Sequence, residues 1–156
     1  MVEFLKETLA KLESREWIHR VQADAGFFAQ ELLQYLEELK LSYIVVGRMT
    51  PWLKREAARV KEWRALDAIN SVGEFQLKLW GRDRAPRFVV VREEMQENKR
   101  SLGRRLFEVP GYTFRLFVTD LADPPEEIWR DYNQRACVEQ RIEELKSDLA
   151  ADDFWL

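Results

Sequence analysis

A strand, an acid, a helix and a second strand follow one another between Arg15 and Arg48, and this order narrows the fold more than any other feature. The run REWIHRVQADAGF alternates Trp17, His19 and Val21 against Ile18 and Arg20, which predicts a strand ending near Ala23. Ala29 to Lys40, AQELLQYLEELK, reads as a helix, and Leu41 to Arg48, LSYIVVGR, as a buried strand. Two strands joined through a helix run parallel with a right-handed crossover, so the class is α/β. Asp24 stands directly past the first strand, with Gly26 after it for the turn. In an open α/β sheet that is a favoured place for a ligand-binding carboxylate. The alternative is a turn or helix-capping aspartate.

The second organising stretch is Pro124 to Ala150, PPEEIWRDYNQRACVEQRIEELKSDLA. A Pro pair opens it, acids fill its first turn and good helix formers follow, which predicts one long helix. With Tyr132 at zero and about 100° per residue, Arg135 falls near 300°, Glu139 near 340° and Lys146 near 320°. Val138, Ile142, Leu145 and Leu149 occupy the adjoining arc, so the four polar residues line the margin of the buried stripe. A phenol, a guanidinium, a carboxylate and an ammonium aimed together suit metal and phosphate. The alternative is a solvated face with an Arg135–Glu139 pair at i,i+4.

Between these stretches, Pro51–Arg59 suits a short helix. Alternating runs then follow at Glu74–Trp80, Arg87–Arg92 and Tyr112–Thr119, with turns at 81–86 and at Pro110-Gly111. They predict an antiparallel β region of four or five strands. Glu93–Arg105, poor in apolar residues, reads as a loop. At the N-terminus, Glu3–Leu12 is a short amphipathic helix with Phe4, Leu5, Leu9 and Leu12 on one side.

The 156 residues suffice for one domain with a real core. The single Cys137 excludes a disulfide framework and a cysteine-based zinc site, and a reducing cytoplasm is the natural setting. His19 has no second histidine beside which to build a zinc site. No apolar run is long enough to span a membrane. Net charge is −3, yet Arg48–Arg64 holds six basic and two acidic residues, and Arg82–Arg105 eight basic and four acidic. A basic centre between acidic ends permits phosphate binding.

Tyr132, Arg135, Glu139 and Lys146 are separated by two, three and six residues, within the text YNQRACVEQRIEELK. In this the chain resembles the bacterial insertion-sequence transposases of the DDE type that carry a Tyr-Arg-Glu-Lys signature on a ribonuclease-H-like core. The stretch ADAGFFAQELLQYLEELKLSYIVVGRM is similar to that family's region around its second catalytic Asp, with Asp24 at the matching position.

The resemblance implies an incomplete ribonuclease-H-like core, residues 1–49 and 122–156, interrupted by a β-rich insertion at 50–121. It implies Asp24 and Glu139 as ligands of Mg²⁺ or Mn²⁺ in a two-metal site, with Tyr132, Arg135 and Lys146 on the phosphates of a cleaved transposon end. The family's third carboxylate, its first Asp, lies upstream of the matching region. The expectation is therefore the C-terminal part of a transposase, with little activity alone and an open sheet edge that favours homo-oligomers. Asp120 and Glu31 are the remaining acids that a self-contained metal nuclease would need. A non-enzymatic protein-interaction domain is the other alternative.

Overall fold

The computed structural model of the chain describes residues 2–11, 18–81, 85–95 and 111–134. Helix α1 spans Val2–Lys11, strand β1 Arg20–Ala23, α2 Gln30–Glu38, β2 Ser42–Val46 and α3 Pro51–Ala58. Strands β3 (Arg64–Ala65), β4 (Asn70–Gln76), β5 (Arg87–Glu94) and β6 (Tyr112–Thr119) follow, and the last described helix, α4, covers 125–134.

One six-stranded mixed sheet carries all of these strands, in the order β1-β2-β6-β5-β4-β3. β1 and β2 are parallel, with Ala23 opposite Val45, as a helical crossover demands. Every other neighbouring pair is antiparallel. The four strands expected as an insertion therefore extend the crossover's own sheet, and β6 is the seam: Ile44 pairs with Thr119 and Val46 with Phe117.

Period-two alternation sorts the apolar residues onto two faces. Tyr43, Val45, Phe88, Val90, Leu116 and Val118 pack under Leu32, Leu33 and Leu36 of α2 and Leu53 and Ala57 of α3. Ile44, Val72, Val89, Val91 and Phe117 face the other way and meet Ile128 of α4, with Trp129 and Tyr132 beside it. Three layers result, α2 and α3 above, the sheet between, α4 below. The seam is also tied through a buried hydroxyl. Thr119 Oγ1 donates to the Tyr43 carbonyl at 2.7 Å and accepts from the Leu121 N–H at 3.1 Å.

Local chemistry explains the boundaries. Thr50 caps α3, its hydroxyl accepting from the Leu53 N–H at 3.3 Å, and Pro51 occupies the first turn, where its missing N–H costs nothing. α2 stops at Leu39, and Lys40 turns the chain out with φ 55°.

Several expectations shift. The strand predicted at Glu74–Trp80 lies at Asn70–Gln76. Leu77 and Leu79 keep the apolar alternation alive because they still pack on the α2 side, but the ladder has already ended. The chain reverses at Trp80 and Gly81, with φ 55° and 67°. Glu93 and Glu94, read as the start of a loop, belong to β5, and 96–110 lie outside the described residues. His19, expected inside a strand, sits just before β1 and is exposed, though its carbonyl accepts from the Ser42 N–H at 3.2 Å. Phe4, expected on a packed side, is 66% exposed. Among the described residues no helix is long and apolar enough to cross a membrane.

Candidate functional site

Asp24 emerges from β1 with an extended backbone, φ −79° and ψ 178°. It caps the 3-10 turn Ala25–Phe27, and its Oδ1 accepts from the Gly26 N–H at 2.8 Å. Both readings of this residue thus coincide in place: it is a turn cap, and it is an exposed carboxylate at the carboxyl end of the crossover's first strand. One oxygen is committed to the turn, which fixes the side chain. The other is available to a ligand.

Alternation decides which face Asp24 serves. Gln22, two residues back, donates its side-chain amide to the Asp131 carbonyl of α4 at 3.3 Å. Arg20, two further back, forms an ion pair with the Asp131 carboxylate and lies 3.8 Å from Asp123. Arg20, Gln22 and Asp24 therefore share the α4 face of the sheet. The sequence reading passed over Arg20, Gln22 and Asp131. The alternating polar residues of β1 were the available signal, but their partner comes from 109 residues away.

The course of α4 follows from its contacts. The chain enters it at the Thr119 end of β6, where Arg87 Nη1 donates to the carbonyls of Leu121 and Asp123, each at 2.7 Å. Glu126 in the first turn meets Arg64 of β3 at 3.2 Å. The Glu126 carboxyl is held below its ordinary range, first by its own backbone N–H and then by Arg64. Further on, the Tyr132 ring packs at 52° against Phe117, with centroids 5.0 Å apart. Phe117 pairs with Val46, and Val46 stands one residue past Val45, the partner of Ala23. So α4 crosses the strands from Arg64 of β3 toward Arg20 and Gln22 of β1, on the face that Asp24 shares. Tyr132 is half-buried at the margin of the apolar stripe, where the helical spacing set it.

Arg135, Glu139 and Lys146, with Cys137, lie outside the described residues. Asp120 is at the far end of the strands, its Oδ1 accepting from the Tyr43 N–H at 2.8 Å. Tyr43 and Val46 are three residues apart on β2, about 10 Å, so Asp120 cannot share a metal with Asp24. Glu31 is exposed in the first turn of α2. Among the described residues no three His, Cys, Asp or Glu side chains are grouped so as to hold a metal ion. A cleft of about 370 Å³ opens on the α4 face between Trp129 and Asn70, Glu93, Thr113 and Arg115.

The family described as Transposase DDE domain group 1 matches residues 1–154. No curated protein matches the chain.

Proposed function

The chain belongs to the DDE transposase domain family of group 1, and from that premise we propose that it is the part of a transposase catalytic domain that carries the second Asp and the Glu of the metal site. Asp24 and Glu139 are the carboxylates in this reading, for Mg²⁺ or Mn²⁺. Their oxygens are the hard donors such ions prefer. Two divalent ions supply an activated water or 3′-hydroxyl and neutralise the departing oxygen. Asp24 offers a fixed carboxylate for that purpose. Tyr132, Arg135 and Lys146 hold phosphates of the transposon end, Arg135 through its planar fork and Lys146 as a point charge. Residues 1–49 and 122–156 form the core in this assignment, of a ribonuclease-H-like kind, with 50–121 as the β-rich insertion.

The observation that supports this most is the attachment of α4 to the face that carries Asp24, through Gln22 and Arg20 to Asp131. It brings the helix on which the Tyr-Arg-Glu-Lys spacing begins to the strand that carries Asp24.

The 156 residues supply two of three carboxylates in this scheme, and two hold a metal pair weakly. A nicking assay on transposon-end DNA with Mg²⁺ or Mn²⁺ should therefore show little turnover by this polypeptide. Robust turnover abolished by Glu139→Gln would overturn the two-carboxylate assignment, while leaving Glu139 catalytic. The outer edge of β1 has no partner strand among the described residues, and such edges recruit strands from other chains. Light scattering should find dimers or larger species; a clean monomer counts against that.

A further inference from the structure

We infer that Arg48 and Arg115 form a clamp for a backbone phosphate of nucleic acid, two residues beyond Asp24 at the same end of the sheet; the nucleic-acid identity of the ligand rests on the function proposed above. The register of β2 and β6 carries the argument. Val46 is paired with Phe117. The ladder goes one step further, with the Gly47 N–H donating to the Leu116 carbonyl at 2.7 Å. β2 ends at Val46, and the same register carried two residues on brings Arg48 toward Arg115. Like charges facing each other across an antiparallel ladder are destabilising.

Three other arginines of the sheet are ion-paired, Arg20 with Asp131, Arg64 with Glu126 and Arg87 with Glu74, while Arg92 lies over the rings of Trp63 and Tyr112. Arg48 and Arg115 are both exposed, and among the described residues neither guanidinium has a hydrogen bond or an ion pair. An anion between them removes the repulsion and accepts two planar forks. Gly47, between the strand end and Arg48, packs closely on Leu116: a Cβ there would stand 2.9 Å from Leu116 Cδ2. The place is the carboxyl end of parallel strands, where open α/β sheets bind ligands. Arg115 also lines the cleft under Trp129, which leaves room for the chain of a polymeric ligand to pass.

Two measurements on the full chain test this. In the first, a short duplex is titrated at several salt concentrations. Arg48→Gln and Arg115→Gln should each weaken binding about five- to tenfold and lower the slope of log K against log salt by about one. Lys40→Gln, at the opposite end of β2, should change neither. In the second, the thermal midpoint is compared in inorganic phosphate and in chloride at equal ionic strength. Phosphate should raise it more in the wild type than in the double variant, since its general salting-out effect acts on both. If the wild type binds duplex and both variants bind it unchanged, the clamp is wrong. If the wild type binds no duplex, the nucleic-acid reading fails and the phosphate comparison alone decides the clamp. An equal rise in the wild type and the double variant then overturns it.

Discussion

Gln22 of the first strand donates its side-chain amide to the main-chain carbonyl of Asp131 at 3.3 Å, and so joins the strand that presents Asp24 to the helix that carries Tyr132. Arg20 reinforces the junction through the Asp131 carboxylate. The pair is about one-third exposed on each side, so its strength is that of a screened surface interaction. Asp131→Ala should cost about 0.5–1 kcal/mol in urea unfolding, and the difference from wild type should shrink in high salt. Unchanged stability at low salt would show that the helix is held by its apolar face alone.

Asp24 has two separable roles. Asn accepts the Gly26 N–H as well as Asp does, so Asp24→Asn should leave the thermal midpoint within about 2 °C of wild type. Binding of Mn²⁺, followed by its electron paramagnetic resonance signal, should fall sharply in the same variant. Undiminished binding would remove Asp24 from the metal site.

Two close approaches inside the sheet set stability. A Cβ at Gly73 would lie 2.6 Å from Val60 Cγ1 and 3.0 Å from the Glu62 carbonyl oxygen. Gly73→Ala should therefore destabilise the chain by about 1–3 kcal/mol through overpacking. Thr119→Val keeps the shape but removes the hydroxyl's two hydrogen bonds, to the Tyr43 carbonyl and from the Leu121 N–H, and should cost about 1–3 kcal/mol. Chemical denaturation reads both.

The turn before β4 makes a pH prediction. The side chain of Asn70, with the backbone N–H groups of Ile69 and Asn70, holds the Asp67 carboxyl below its usual 3.8. A lowered folded value means that the stabilisation is present above the unfolded value and is lost as pH falls through the folded one. An NMR titration should place Asp67 below the ordinary carboxylate midpoint, and Asn70→Ser should raise it. A midpoint unmoved by the substitution would show that the backbone donors suffice.

The crossover was legible because its signals are local. Alternation marked β1, the apolar run in LSYIVVGR marked β2, the run Ala29–Lys40 marked α2, and the acid after Ala23 marked the strand end. YTFRLFVT was equally plain and became β6. The start of β4 was hidden, since Asn70 to Gly73 offers only Val72 as a buried apolar side chain and owes its strand state to pairing with β5. That β6 would lie beside β2 was not legible at all. No local pattern specifies which distant strands pair, so the insertion looked separate where it is continuous. At the site, helical spacing correctly put Tyr132 on the core margin, whereas the Asp131 anchor depends on a non-local contact that spacing does not reveal.

β1 is four residues long, lies at the margin of the sheet, and has one strand neighbour among those described. Marginal strands of that kind open at lower free energy than the interior ones. The aspartate on which metal chemistry would depend thus hangs from a segment whose amides should exchange with deuterium sooner than those of the interior strands. A divalent ion gripping Asp24 would then slow that exchange, and filling of the metal site and ordering of the sheet margin would rise together as one equilibrium.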